Sequence, residues 1–69
     1  MYKNLIKQLE DRHISVSTLA KILEIDEKSV RNKLSGTTEF KLSEINTIMK
    51  LFPEYNMSWL FASEEEAAS

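Results

Sequence analysis

The sequence predicts an all-α domain built as a compact bundle of five short helices. Three observations carry that expectation. Apolar residues recur at three- and four-residue intervals with no sustained period-two alternation, the chain holds one glycine and one proline, and helix-capping residues precede several of the apolar stretches. A length of 69 residues with 42% hydrophobic composition suffices for one helical core and falls short of an ordinary cleft enzyme.

The first helix is expected from about Tyr2 to Arg12, with Tyr2, Leu5, Ile6 and Leu9 on one stripe and Lys3, Lys7, Gln8 and Glu10 outside. Ile14 should pack just beyond its end. His13 falls at the helix exit, where a residue tolerant of positive φ is wanted; solitary in a chain without cysteine, it reads as a turn residue, not a metal ligand. Ser15 can cap a second helix starting at Val16, its side-chain oxygen accepting from the free amides of the first turn. Val16, Leu19, Ala20 and Leu23 then line one face of that helix. After Glu24 and Ile25, Asp26 offers the next cap, and Glu27 sits favourably in the positive first turn of a third helix. That helix turns only Val30 and Leu34 inward and leaves Glu27, Lys28, Ser29, Arg31, Asn32 and Lys33 as an almost wholly polar surface. Gly36 ends it, where a left-handed residue is needed.

Phe40 is the apolar anchor of the loop from Gly36 to Lys41. The pattern Leu42, Ile45, Ile48, Met49 and Phe52 predicts a fourth helix, with Ser43, Glu44, Asn46, Thr47 and Lys50 outward. Pro53 stops it by lacking an amide and by restricting the residue before it. Asn56 can cap a short fifth helix, Met57 to about Phe61, which closes the core with Leu60 and part of Trp59 or Phe61. Residues 1–62 therefore read as one domain and residues 63–69 as a flexible acidic tail.

Composition narrows the function classes. Without cysteine there is no disulfide framework and no thiolate zinc site, which fits a cytoplasmic protein. No apolar run approaches the roughly 20 residues that span a bilayer, and the amino terminus MYKNLIKQLEDR lacks a signal-peptide pattern, so no membrane partner is expected. Nor is an enzyme, a metal or a cofactor expected. There is one histidine, no glycine-rich phosphate loop and no HExxH, and carboxylates such as Asp11, Glu24 and Glu54 read as solvated faces.

The polar third helix points instead to double-stranded DNA, because a helix fits the major groove and its outward side chains meet the base edges. Lys28 and Arg31 are three apart and share a face, and Asn32 lies four after Lys28. Arg31 can pair with guanine O6 and N7, and Asn32 with adenine N6 and N7, each pairing carrying roughly 1–3 kcal/mol of discrimination. Ser29 and Glu27 are further base-contact candidates; Glu27 either accepts from cytosine N4 or only complements the helix dipole or repels phosphates. Candidate phosphate contacts are Ser17 and Thr18, at the positive start of the second helix, and Lys33, Thr37, Thr38 and Lys41 on the other side. The plainer reading of these residues is capping and solvation. Nine Lys and Arg against eleven Asp and Glu give a net charge of −2, whereas a basic footprint is usual for DNA binding. Residues 28 to 41, however, carry Lys28, Arg31, Lys33 and Lys41 against Glu39 alone, a local +3. Residues 54 to 69 hold Glu54, Glu64, Glu65 and Glu66 with no base, a local −4. Charge beyond a Debye length of ~8 Å is largely screened, so the contact face matters more than the sum.

Residues 15 to 36 resemble the helix-turn-helix of the Cro/CI-type repressors of bacteriophages and bacteria, also called the XRE family. The match rests on Ser15 as cap, the pair Leu19-Ala20, the apolar Leu23, Ile25 and Val30, and the polar stretch ending in Ser35-Gly36. SVRNKLSGTTEFKLSEI followed by LFPEYNMSWLF looks most like short phage-derived regulators of low-GC Gram-positive bacteria, and the resemblance runs from Leu5 to Phe61. It implies a lambda-repressor-like DNA-binding domain in which four helices wrap together and helix 27–35 stands out to enter the major groove of operator DNA. It also implies a phage-type repressor in a bacterial or phage-infected cell, binding paired half-sites as a homodimer at least on DNA. The dimer contact is expected either from the apolar cluster Trp59, Leu60 and Phe61 or from contacts formed only on DNA. Three positions depart from the family pattern. Val16 stands where many members carry a glutamine, Glu24 occupies the turn position usually taken by glycine, and Lys41 replaces the Ser or Thr that would complete a capping box with Glu44. The alternative function is a helical protein-interaction module that keeps this fold and binds a regulator, toxin or polymerase. Net charge and the Glu64 to Glu66 run favour that alternative; the basic face of residues 28 to 41 favours DNA.

Overall fold

In the computed structural model, which describes residues 1–63, the chain forms α1 (Lys3–Asp11), α2 (Val16–Leu23), α3 (Glu27–Ser35), α4 (Leu42–Leu51) and α5 (Met57–Leu60), with no strand among the described residues. Each element gives the core at least one side chain. Leu5 and Leu9 come from α1, Leu19 and Ala20 from α2, Val30 and Leu34 from α3, Phe40 from the following loop, Ile48 from α4, Phe52 from its C-cap and Leu60 from α5. Leu5, Leu19, Val30, Ile48, Phe52 and Leu60 are completely enclosed; burying a side chain of this size stabilises by about 1.5–3 kcal/mol. No helix among the described residues is long and apolar enough to cross a membrane.

The caps anticipated from the sequence form. Ser15 Oγ accepts from the Thr18 amide at 3.1 Å, Asp26 Oδ1 from the Ser29 amide at 2.7 Å, and Asn56 Oδ1 from the Trp59 amide at 2.7 Å. The exits of α1, α2 and α3 share one solution. His13 (φ 58°), Glu24 (φ 60°) and Gly36 (φ 89°) are left-handed, and the amide after each reaches back to a carbonyl five residues earlier. Ile14 donates to Leu9 at 2.8 Å, Ile25 to Ala20 at 3.0 Å and Thr37 to Asn32 at 2.9 Å. This closure satisfies carbonyls that a helix end would otherwise orphan. It also seats Ile14 and Ile25 against the core.

Several expectations are corrected. α1 starts at Lys3, with Tyr2 as its N-cap; the Tyr2 amide donates to the Leu34 carbonyl at 3.1 Å. Its ring makes edge contacts with Phe40 at 5.4 Å and Phe61 at 6.0 Å, and those two rings meet edge-on at 5.4 Å. Leu42, placed on the inner face by periodicity, is 68% exposed, because Phe40 already supplies the buried apolar group at that end of α4. Glu44, expected outward, is buried, and so is Lys33 on α3. The core is closed as expected by Leu60, which is buried, and by Phe61, which is half-buried, while Trp59 is 41% exposed and stacks on Tyr55 at 5.0 Å. Apart from Ser63, the acidic tail expected at residues 63–69 lies outside the described residues.

Polar contacts tie α1 to the C-terminal half. The Arg12 guanidinium lies 4.5 Å from the Phe52 ring centroid, donates to the Leu51 carbonyl at 2.6 Å and pairs with Glu54. Tyr55 donates from its hydroxyl to Gln8 Oε1 at 3.0 Å, and Asn4 Nδ2 to the Trp59 carbonyl at 2.9 Å.

The left-handed residues give two opposite predictions for thermal melting. Glu24→Gly relieves a Cβ penalty of about 1 kcal/mol and leaves the midpoint equal or higher, by as much as about 4–8 °C for a domain of this size; a fall would show that the Glu24 side chain supports the turn. Gly36→Ala imposes that penalty and sets a new Cβ 3.3 Å from the Met1 nitrogen, so its midpoint falls by a similar amount or more.

Candidate nucleic-acid interface

Helix α3 is positioned by its neighbours more than by its own apolar content. Val30 and Leu34 hold it to the core, while Glu27, Lys28, Arg31 and Ser35 are exposed and Ser29 and Asn32 half-buried. Helical spacing therefore brings Lys28, Arg31 and Asn32 onto one outward face. Arg31 Nη2 donates to Glu27 Oε1 at 3.3 Å, a solvated i,i+4 pair; such pairs contribute only about 0.3–0.5 kcal/mol, so the guanidinium can exchange this partner for another. Ser29 serves the cap. Its hydroxyl and then its amide, bonded to Asp26, hold that carboxyl below its ordinary pKa, with a smaller contribution from the charge of Lys28.

Lys33 does not join the outward face. Its side chain is 10% exposed, and Nζ donates to Glu44 Oε1 at 2.8 Å and to the Glu39 carbonyl at 3.1 Å. The same amine lies 6.0 Å from the Phe40 ring centroid. The expectation that Lys33 presents its charge on the surface is thus corrected: three residues past Val30 and one before Leu34, it faces α4, and a carboxylate there accepts it. Burial by itself raises the Glu44 pKa. The Lys33 hydrogen bond, the Lys41 amide and the charges of both lysines outweigh that effect and hold the group below its ordinary value.

The loop after α3 is closely bonded. The Thr37 and Thr38 amides donate to the Asn32 carbonyl at 2.9 and 3.3 Å, and the Ser35 and Thr37 hydroxyls lie 3.0 Å apart. The Lys41 amide donates to Glu44 Oε1 at 2.8 Å, which is the reciprocal half of a capping box. The Lys41 side chain, donor only, makes no cap bond. Thr37, Thr38 and Lys41 are exposed beside α3. Ser17 and Thr18 belong to a separate element, the first turn of α2; Ser17 is half-buried, and Thr18 is exposed with its hydroxyl accepting from Ser15 Oγ at 3.0 Å. Val16, the position lacking the family glutamine, packs half-buried at the core edge.

Glu44 is the residue that sequence reasoning missed. Its spacing three after Lys41 marked it as the end of a capping box, but nothing local links it to Lys33, eleven residues earlier. With Lys33 neutralised, the exposed cations on α3 and its loop are Lys28, Arg31 and Lys41. Among the described residues, no group of three or more His, Cys, Asp or Glu is placed to hold a metal ion.

Residues 4–53 match the family model of the Cro/C1-type HTH DNA-binding domain, a span that takes in α2, its left-handed exit and α3. No curated protein and no solved structure matches the chain.

The lowered Glu44 pKa sets the sign of an acid response. A carboxyl that holds its proton less tightly when folded contributes stability above its ordinary value and loses it as pH falls through the folded value. Melting temperature is therefore expected to stay level from neutral pH down to the ordinary carboxylate range and to fall below it, as pH approaches the lower folded value of Glu44 and Lys33 loses its buried partner. Thermal melts across that range test this, and Glu44→Gln should flatten part of the slope.

Proposed function

The chain belongs to the Cro/C1-type helix-turn-helix DNA-binding family, and from that premise we propose a sequence-specific transcriptional regulator, a phage-type repressor whose α3 enters the major groove of operator DNA. The observation that supports this most is the outward face of α3, where Lys28, Arg31 and Asn32 stand together while Val30 and Leu34 bury the opposite side. In this reading Arg31 exchanges Glu27 for guanine O6 and N7, and Asn32 reads adenine. Lys28 adds a donor near the helix start. Ser29, engaged with Asp26, and Glu27, engaged with Arg31, take secondary parts.

Phosphates on one side are gripped by Thr37, Thr38 and Lys41, and on the other by the hydroxyls of Ser17 and Thr18 with the α2 amino end. Lys33 is left out because its amine is already committed to Glu44 and Glu39. One short helix reads too few base pairs for useful selectivity, so the regulator binds paired half-sites as a homodimer, at least on DNA. Of the apolar cluster considered for that contact, Trp59 is the exposed member; Met57, 44% exposed on the same short helix, joins it.

Mobility-shift titrations against random and genomic DNA at two salt concentrations test the proposal. Affinity should fall with salt, with a log–log slope of about −0.9 per phosphate neutralised. Absence of retention even at low salt would overturn it in favour of a protein-interaction module. Arg31→Ala should cost about 1–3 kcal/mol and relax preference at one base pair, whereas Lys41→Ala should weaken all sites alike and reduce the slope by about one. Trp59→Ala should leave the monomer folded and weaken binding to paired half-sites; unchanged pairing would remove Trp59 from the interface.

A further inference from the structure

We propose that Lys33 and Glu44 are a positioning pair: neither touches DNA, and together they hold the 37–41 loop as a preformed edge for backbone phosphates. The inference rests on the DNA-binding reading above and adds to it the device that shapes one side of the contact.

The bonds of the pair converge on the loop backbone. Lys33 Nζ holds the Glu39 carbonyl at 3.1 Å, and the Glu44 oxygen that receives Lys33 also receives the Lys41 amide at 2.8 Å. One ion pair therefore pins the chain on both sides of Phe40, whose ring is buried against Tyr2 and Phe61. At the other end, the Asn32 carbonyl takes the Thr37 and Thr38 amides. The main-chain groups of Thr37, Thr38, Glu39 and Lys41 named here are thus bonded internally, and the Thr37, Thr38 and Lys41 side chains are left exposed. A loop ordered before it meets its ligand pays less ordering entropy on binding. The chemistry of the pair fits this role: only a donor at 33 can serve the Glu39 carbonyl, and only an acceptor at 44 can serve the Lys41 amide.

Three forms of the chain test the proposal: the unmodified protein, Lys33→Met with Glu44→Leu, and Glu44→Gln. Replacing a buried ion pair by apolar groups of similar size is commonly neutral or stabilising, so the double variant is expected to melt as the unmodified protein does. Its Lys41 amide should exchange with solvent at least about tenfold faster, and its affinity should fall about tenfold on every DNA sequence alike, with a salt slope smaller by about one. Glu44→Gln, which retains an acceptor for both donors, should recover most of that affinity.

Unmodified affinity and slope in the double variant, with its loop amides exchanging freely, would overturn the proposal. A loss confined to particular base pairs would do the same, since it would place the pair in base reading. Should the double variant fail to fold, amide exchange on the unmodified protein decides: a Lys41 amide unprotected in the free protein means the loop is not preformed. No DNA binding by the unmodified protein would instead remove the regulator reading itself, and this inference with it.

Discussion

None of the helices among the described residues exceeds ten residues, and an isolated helix shorter than about 12–15 residues is marginal in water. Their persistence depends on one shared apolar core, where Leu5, Leu19, Val30, Ile48 and Leu60 from the five helices meet Phe52. Short helices also make their ends matter. Ser15, Asp26 and Asn56 satisfy amides at three starts, and the left-handed His13, Glu24 and Gly36 satisfy carbonyls at three exits. The same turns give the chain its sharp reversals, so what stabilises each helix also aims the next one.

That arrangement explains how a helix as polar as α3 keeps its place. Val30 is enclosed and Leu34 nearly so, but two apolar contacts on nine residues leave the helix free to rotate or fray. The remaining hold comes from its ends. Asp26 caps the start, the Tyr2 amide takes the Leu34 carbonyl, and Lys33 reaches Glu44 on α4. A buried ion pair adds little net stability once desolvation is counted, and its stronger effect is geometric. Lys33 gives up a surface charge to fix where the other polar side chains of α3 stand.

The net charge of −2 and the polar outward face of α3 are compatible for the same reason. Glu44 and Glu27 are engaged with Lys33 and Arg31, one pair inside the fold and one on the helix surface. The exposed charges close to α3 are Lys28, Arg31 and Lys41 with Asp26, Glu27 and Glu39, while charge further off is screened within about a Debye length. The total charge of a small domain therefore says little about any one face.

Periodicity and cap chemistry alone were sufficient for the all-α architecture, the three caps, the left-handed exits at His13 and Gly36, and the common face of Lys28, Arg31 and Asn32. Each depends on residues within about four positions of one another, the range over which helix geometry relates side chains. The fates of Leu42, Glu44 and Lys33 were decided only by tertiary structure. Leu42 lost its inner place to Phe40, which enters from the loop, and Lys33 and Glu44 found each other across eleven residues. Local pattern ranks a residue as polar or apolar, but whether a polar one is buried depends on a partner that arrives from another helix.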